Sequence, residues 1–378
     1  MEAKKHFGPL GIVALPGCEK LAKQVNAYLV AWRAGRETQQ AGYVEDSYLI
    51  DVEITRYSGG EAKAMLKQTV RGYDLYIMVD VCNYNMEYDL NGHSNPMSPD
   101  DHYMNLKRVI AACTGKPNRI NVVMPFLYES RQHRRTTRES LDCAMVLQEL
   151  VGMGVDNIIT FDAHDPRICN AIPLAGFDNL PTSYQFIKTL INLDLHEQFD
   201  KDHVLIISPD EGAVERAIYF ANMLGVNVSM FYKRRDYTQI VGGKNPIVAH
   251  EYLGESLEGK TAIVVDDMIA SGDSIIDVGK QLRARGAKRV IACASFGLFT
   301  AGMERFDKAH EEGLIDYVLT TNLIYQDPET LRREYYASVD MSEYLASVVD
   351  TLNHNASMEK LMTASDKIQN KLKTTEGI

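Results

Sequence analysis

The sequence lacks the features that would place it among secreted, membrane or nucleic-acid-binding proteins. Its six cysteines are scattered and no two form a Cys-x-x-Cys pair. This spacing argues against a disulfide framework or a zinc site and favours reduced thiols in the cytosol. No stretch approaches the roughly 18 continuous apolar residues of a membrane span. The net charge of −11 is not that of a general nucleic-acid binder, although a few local basic groups can still bind a phosphorylated small molecule. We therefore expect a cytoplasmic protein with neither a membrane nor a nucleic-acid partner.

Short apolar runs alternate with helical patterns along most of the 378 residues. Runs that are apolar on both faces and separated by helices are typical of parallel sheets covered by helices, so the pattern predicts α/β layers. The chain is long enough for two domains, and two successive series of runs predict two similar domains divided near residues 180–200. The predicted strands are 11–17, 74–80, 120–126, 157–164, 203–210, 226–234, 261–267, 290–296 and 317–322.

Three polar stretches interrupt this rhythm. Residues 33–50 and 84–103 are expected to be loop insertions because they lack a sustained period and collect turn-forming residues. The C-terminal stretch 357–378 predicts a polar, frayed amphipathic helix.

One stretch, Val264-Val-Asp-Asp-Met-Ile-Ala-Ser-Gly-Asp-Ser274, places two acids at the end of an apolar run and then a small, hydroxyl-rich turn. A strand, a tight turn and a helix N-terminus gather backbone N–H groups that favour an anion, and Gly272 allows close approach. Asp266 and Asp267 suit hydroxyl groups instead, because an ionised carboxylate only accepts hydrogen bonds. A sugar phosphate offers both partners. The alternative is an acidic strand end followed by a serine-capped helix.

This stretch resembles the phosphoribosyl-pyrophosphate loop of type I phosphoribosyltransferases and of ribose-phosphate pyrophosphokinases. In both families the motif consists of an apolar run, two acids, three further residues and then Thr/Ser-Gly-x-Thr/Ser. The loop alone does not decide between an enzyme that consumes this ligand and one that makes it. The resemblance implies that ribose 5-phosphate is bound by Asp266, Asp267, Ser271, Gly272, Asp273 and Ser274.

Two N-terminal stretches resemble the nucleotide side of the pyrophosphokinases. Arg56-Tyr-Ser-Gly-Gly-Glu61, with Val70-Arg-Gly-Tyr-Asp74 after it, is similar to an aromatic-Ser-Asp-Gly-Glu motif whose residues reach the ATP of a neighbouring subunit. Met124-Pro-Phe-Leu-Tyr-Glu-Ser-Arg-Gln132 is similar to Pro-Tyr-x-x-Tyr-x-Arg-Gln-Asp. An arginine offers a fork of donors to phosphate, and a glutamine offers a donor and an acceptor to a base edge. A solvated basic turn is the alternative for the second stretch. The resemblance implies that ATP is bound by Tyr57, Glu61, Arg131 and Gln132.

Three further stretches resemble the family's reaction centre. Ile158–Asp165 is similar to a strand that ends in Asp-Leu-His, and Ile206–Gly212 to Val-Ser-Pro-Asp-x-Gly. Met230–Arg235 is similar to the Lys-Arg-Arg run that opens a flexible loop over the transferring phosphoryl group, whose charge cations stabilise. Taken singly, each has a structural alternative: a structural histidine, a helix cap or a solvated charge cluster. The resemblance implies catalytic roles for Lys233, Arg235 and His164, and a Mg²⁺ site at His164 and Asp210.

Because these motifs, and a closing one at Ala337–Ala346, follow in consistent order over roughly residues 8–360, the sequence is identified as a member of the ribose-phosphate pyrophosphokinase family. The expected fold is α/β, with two tandem type I phosphoribosyltransferase-like domains, each a mainly parallel sheet flanked by helices. The ATP-side domain would comprise 1–185, joined by the segment 336–378, and the ribose 5-phosphate side 186–335. The implied reaction joins MgATP and ribose 5-phosphate to give phosphoribosyl pyrophosphate and AMP, in a homo-oligomer built on dimers and often hexameric.

Departures from the family pattern at Gly59, His133, Ala270 and Phe296, where the family commonly has Asp, Asp, Asp and His, suggest a divergent member. Two other functions therefore remain open. One is a type I phosphoribosyltransferase that uses phosphoribosyl pyrophosphate, and the other is a non-catalytic homologue that regulates an active synthetase.

Overall fold

The computed structural model describes residues 7–35, 42–113, 115–193, 198–235 and 247–362. Two compact units are present in this part of the chain. The N-terminal unit contains the described residues up to Pro181 together with Asn322–Tyr325 and Asp340–Met362. The C-terminal unit contains the described residues of Thr182–Thr321 and Gln326–Val339.

Helices separate many, but not all, of the strands along the chain. The strands are β1 Leu10–Ala14, β2 Val52–Arg56, β3 Ala62–Leu66, β4 Asp74–Met78, β5 Glu87–Leu90, β6 His93–Pro96, β7 Arg119–Val123, β8 Asn157–Phe161, β9 Gly176–Leu180, β10 Val204–Ser208, β11 Asn227–Arg235, β12 Ile247–Leu253, β13 Thr261–Ile269, β14 Arg289–Gly297, β15 Tyr317–Thr321 and β16 Tyr336–Val339. The helices are α1 Glu19–Arg33, α2 Pro99–Cys113, α3 Asp142–Gly152, α4 Ser183–Asn192, α5 Val214–Leu224, α6 Asp273–Ala284, α7 Glu304–Glu311, α8 Ser342–Asn353 and α9 Glu359–Met362.

The N-terminal unit is built on a five-stranded sheet in the order β1-β4-β7-β8-β9. All neighbouring pairs in this sheet are parallel. Every residue of β4 and β8 is buried, as expected for strands covered on both faces. The carboxyl ends of β4, β7 and β8 therefore lie at one edge of the sheet, where open α/β sheets bind ligands.

A buried polar network fastens α8 to this sheet. The fully buried carboxylate of Asp74 accepts hydrogen bonds from Arg119 Nε and Nη2, each over 2.7 Å. Asn353, the last residue of α8, donates to the same carboxylate over 2.9 Å. Arg119 also donates to the Leu352 carbonyl over 3.0 Å. Removing one partner from such a buried pair typically costs about 3–5 kcal/mol.

The C-terminal unit contains a seven-stranded sheet in the order β12-β11-β10-β13-β14-β15-β16. Only the β11–β12 pair is antiparallel, and the other neighbours run parallel. Each strand predicted from an apolar run is present in one of the two sheets, so the prediction of mainly parallel α/β layers is confirmed.

The prediction that residues 84–103 form a loop insertion is wrong. They fold into the antiparallel hairpin β5–β6, and helix α2 then begins at Pro99. The reason is local: Asn91 and Gly92 connect the strands with φ of 51° and 82°. Two consecutive positive φ values define the tight turn that Asn-Gly favours.

The other two polar stretches extend partly beyond the described residues. Within 33–50, α1 continues to Arg33, residues 36–41 lie outside the description, and Leu49 forms a parallel bridge with Ile12. At the C-terminus, α9 accounts for Glu359–Met362, and 363–378 lie outside the described residues. None of the helices in the described ranges combines the length and apolar character needed to cross a bilayer.

Candidate active site

The acid pair predicted to bind sugar hydroxyls lies near the end of the central strand β13. Asp267 is buried and Asp266 is half-buried. Backbone N–H groups hold both carboxylates: Asp267 N donates to Asp266 Oδ1 and Met268 N to Asp267 Oδ1, each over 2.9 Å. Burial and the neighbouring Asp267 charge raise the pKa of Asp266 well above its usual range, and the Arg216 charge opposes this rise. The backbone therefore holds both carboxylates in place, where their oxygens can accept hydrogen bonds from hydroxyl groups.

The turn after β13 requires glycine at position 272. Gly272 is the N-cap residue of α6 with φ of 91°, a conformation that side chains with Cβ rarely adopt. A methyl group added there would come within 2.4 Å of the Phe306 ring. Gly272 has no side chain to cap α6, and Asp273 N makes only a long contact of 3.5 Å with Ser271 Oγ. The N–H groups that open α6 can therefore bind an anion.

Asp273 places a carboxylate in the turn that is expected to bind the 5-phosphate, where a negative charge is unfavourable. Its carboxylate is 67% exposed and forms an ion pair with Arg305. The Ser271 hydroxyl donates to Asp273 Oδ2 over 2.9 Å. These contacts lower the pKa of Asp273, with the hydrogen bond from Ser271 contributing most and Arg305 next. Part of the unfavourable charge is thus balanced by a neighbouring guanidinium.

Asp210 and the Lys-Arg-Arg run lie at the same edge of the C-terminal sheet. Asp210 follows β10 and accepts a hydrogen bond from Gly212 N over 3.0 Å, which is the capping contact foreseen as the alternative. Ser208 at the end of β10 pairs with Met230 of β11. Lys233 and Arg235 lie beyond this point in β11, where their backbones pair with β12. Their side chains and residues 236–246 lie outside the described residues.

On the N-terminal unit, His164 follows β8 and is exposed. Its ring lies 5.4 Å from that of His133, measured between centroids. Asp165 Oδ2 lies 3.4 Å from His133 Nε2 and 2.6 Å from Arg167 Nη2. Hydrogen bonds from Arg167 lower the pKa of Asp165 to about 2, so this carboxylate is ionised at neutral pH. A cavity of about 530 Å³ adjoins this group and is lined in part by His133, Arg134, Asp165 and Arg167.

Arg131 and Gln132 form the short 3-10 turn that follows β7, so they lie at the same edge of the sheet as His164. Arg131 is exposed, and its guanidinium forms no hydrogen bond or ion pair within the part of the chain that the structure describes. Gln132 is half-buried and donates to the Ser140 carbonyl over 3.3 Å. An exposed guanidinium of this kind is available to bind a phosphate.

Tyr57 and Glu61 share the tight turn between β2 and β3. Tyr57 N donates to the Glu61 carbonyl over 2.8 Å, and Gly60 N donates to the Tyr57 carbonyl over 2.8 Å. The Tyr57 ring is 46% exposed and Glu61 is exposed. Among the described residues, no hydrogen bond, ion pair or ring contact joins this turn to Arg131 or His164.

Asp80, which was not among the site residues predicted from the sequence, follows β4 at the edge shared with Arg131 and His164. Its buried carboxylate accepts hydrogen bonds from Cys82 N over 2.8 Å and from Tyr325 N over 2.6 Å. Burial raises the pKa of Asp80 to about 7, against the two hydrogen bonds. The signal was an acid at the end of an apolar run, the same signal that identified Asp266.

Two family models and one solved structure match the two-unit architecture of this chain. Residues 10–154 match the family described as the N-terminal domain of ribose phosphate pyrophosphokinase, and 177–328 match the phosphoribosyl transferase domain. Phosphoribosylpyrophosphate synthetase from Mycobacterium smegmatis has a similar fold, with a TM-score of 0.71 at 22% identity over 92% of this chain and 99% of that one. The chain is thus a two-domain protein of the phosphoribosyltransferase-like class.

Sequence relatives narrow the class to one family. The chain is 30% identical over 272 residues to ribose-phosphate pyrophosphokinase from Prochlorococcus marinus strain MIT 9313, covering 71% of this chain and 73% of the relative. It is 29% identical over 289 residues to the enzyme of the same name from Aquifex aeolicus, covering 75% and 82%. The chain belongs to the ribose-phosphate pyrophosphokinase family.

Proposed function

We propose that this chain is a ribose-phosphate diphosphokinase. It transfers the β,γ-diphosphoryl group of MgATP to the C1 hydroxyl of ribose 5-phosphate, and the products are phosphoribosyl pyrophosphate and AMP. The observation that carries the proposal is the end of β13, where the carboxylates of Asp266 and Asp267 and the N-terminus of helix α6 follow one another within a few residues. Family membership selects synthesis over the transferase reaction.

The ribose 5-phosphate side would use the β13–α6 turn. The 5-phosphate would bind the N–H groups that open α6 and the hydroxyls of Ser271 and Ser274. Asp266 and Asp267 would orient the ribose hydroxyls. Because the backbone already holds both carboxylates, little conformational entropy is lost when the sugar binds.

The nucleotide side would use groups of the N-terminal unit and the end of β11. Arg131 would bind a phosphate, Gln132 would contact the base, and Tyr57 and Glu61 would contact the ATP of a neighbouring subunit. In-line attack of the C1 oxygen on the β-phosphorus then needs positioning and charge stabilisation and no covalent intermediate. Lys233 and Arg235 would stabilise the charge on the transferring group.

The residues present fit a magnesium ion that is held mainly by its phosphates. No group of three or more His, Cys, Asp or Glu side chains suited to a metal occurs within the described ranges. Mg²⁺ usually binds one or two carboxylates together with substrate phosphates, so a complete protein cage is not required. His164 and Asp210 would contact the ion or its phosphates, and the ion would neutralise phosphate charge.

Incubation of the purified protein with MgATP and ribose 5-phosphate tests the proposal. Equal amounts of AMP and phosphoribosyl pyrophosphate are expected. Phosphoribosyl pyrophosphate consumption with release of pyrophosphate, when a base is supplied, would instead indicate a transferase. No reaction alone, with stimulation of an added active synthetase, would indicate a regulatory homologue.

A homo-oligomer and a cytoplasmic location remain part of the proposal.

Lys233 gives a second test of the same proposal. Lys233→Ala is expected to lower kcat by at least about a hundredfold with little change in KM for ribose 5-phosphate, because the cation would stabilise charge that develops during transfer. Lys308→Ala, at a 75% exposed position on α7, is the matched control and should leave both constants unchanged. Unchanged turnover of Lys233→Ala would remove this residue's assigned role.

A further inference from the structure

The hairpin β5–β6 lies against the turn that is proposed to contact ATP. Asn91 N at the tip of the hairpin donates to the Ser58 carbonyl over 3.0 Å. The Leu90 side chain packs beneath Gly60, so closely that a methyl group at position 60 would come within 2.9 Å of Leu90 Cδ1. The stretch that sequence patterns predicted to be a loop insertion is therefore packed on the Tyr57–Glu61 turn.

Arg56 links the hairpin, the turn and helix α2. Its guanidinium carbon lies 4.0 Å from the centre of the Tyr88 ring on β5. Arg56 Nη1 donates to the Gly60 carbonyl over 3.0 Å and lies 3.4 Å from Asp101 Oδ1 on α2. The side chain is 13% exposed, so these contacts form in a partly desolvated place where cation–π attraction is strengthened.

Two backbone hydrogen bonds close the turn, but its glycines leave its backbone otherwise free to change conformation. It contains two consecutive glycines, Gly59 and Gly60, and a methyl group at Gly59 would meet nothing within 4 Å. Glycine loses more backbone freedom than any other residue when it is fixed. Contacts from outside the turn therefore add to its own two hydrogen bonds in holding Tyr57 and Glu61 in one arrangement before a ligand binds.

We propose that Arg56 and the β5–β6 hairpin are positioning elements that preorganise the Tyr57–Glu61 turn for the adenine nucleotide. This inference rests on the proposed function, because it assumes that the turn contacts ATP. These contacts from Arg56 and the hairpin form a brace for the turn. Without the brace the turn samples other conformations, so the nucleotide must order the turn when it binds. The cost then appears in the affinity for ATP and leaves the affinity for ribose 5-phosphate unchanged.

Steady-state kinetics of three Arg56 and Tyr88 variants measure this effect. Arg56→Met and Tyr88→Leu are each expected to raise KM for ATP about three- to tenfold, with KM for ribose 5-phosphate unchanged and kcat within about twofold. Arg56→Lys keeps a cation near the Tyr88 ring but loses the planar fork, so it should recover part of the affinity. Arg332→Met removes an arginine that is 73% exposed and should change neither KM.

Amide hydrogen exchange separates failure of this inference from failure of the proposed function. Exchange at Tyr57 and Gly60 should be faster in Arg56→Met and Tyr88→Leu, and unchanged in Arg332→Met, whether or not the protein makes AMP. A wild-type protein that makes no AMP would contradict the proposed function. Unchanged exchange together with an unchanged KM for ATP would overturn the brace. An equal rise in both KM values would also overturn it, because the change would then be a general loss of structure.

Discussion

Gly272→Ala is the substitution for which the structure gives the most definite expectation. Two independent effects oppose the added methyl group. The backbone φ of 91° is a left-handed conformation that costs about 1–2 kcal/mol for a residue with Cβ. The methyl group would also lie 2.4 Å from Cε2 of Phe306, a fully buried ring that cannot swing into solvent. Overpacking of this kind costs about 1–3 kcal/mol.

The two effects together predict that Gly272→Ala lowers the free energy of unfolding by about 2–5 kcal/mol. Urea unfolding followed by circular dichroism measures this loss. Relief of either effect displaces the N–H groups that open α6, so KM for ribose 5-phosphate should rise at least about tenfold. KM for ATP should change much less.

A double-mutant cycle with Phe306→Leu separates the two contributions. Phe306→Leu alone removes ring atoms from the core and should cost about 1–3 kcal/mol. In the double variant the clash is absent while the backbone strain remains. The double variant should therefore lose less stability than the sum of the two single-variant losses, by about 1–3 kcal/mol. Additive losses would refute the assignment of the clash. A wild-type KM for ribose 5-phosphate in folded Gly272→Ala would refute the role of the turn.

Two further predictions concern carboxylates. Because burial raises the pKa of Asp80 from 3.8 to about 7, the folded protein keeps a proton that the unfolded chain releases between those pH values. The free energy of unfolding of the wild type should therefore fall by about 4 kcal/mol from this group as the pH rises from 4 to 8. Urea unfolding of Asp80→Asn should lack that part of the decline. Parallel stability–pH profiles of the wild type and Asp80→Asn would contradict this prediction. Asp273→Asn removes an exposed negative charge from the first turn of α6 and should lower KM for ribose 5-phosphate about two- to fivefold at low salt, with the effect shrinking at high salt. A rise in KM would show that Asp273 contributes to binding.

The periodic parts of the fold were predictable because burial imposes them. Strands such as β4 and β8 are buried at every position and mostly apolar, since helices cover both faces of a parallel sheet. The strands β5 and β6 were missed because they lie outside the two main sheets and are only four residues long, with a period-two pattern confined to β5. Their clearest signal was the Asn91-Gly92 pair, which favours a hairpin through backbone conformation.

Residue types and order also predicted the acid pair and the turn at Gly272, because both depend on contacts within one strand–turn–helix segment. Asp80 was missed since its raised pKa depends on Tyr325, which is distant in sequence and donates to it from a separate segment of the same unit. The Arg56 brace was missed for the same reason: its contacts come from β5 and α2. Contacts between distant segments leave no local pattern in a single sequence.

At His133, where the sequence departs from the family pattern, a carboxylate from another segment lies close to the histidine. The family has an aspartate after its Arg-Gln pair, and a histidine there counts against activity when the position is considered alone. Here an ionised carboxylate, Asp165, comes from the end of β8 and lies 3.4 Å from His133 Nε2. The acid is thus still beside residue 133 and adjacent to His164, although it belongs to a different strand end. Because a carboxylate from another strand end lies beside position 133, the histidine at that position does not by itself count against activity.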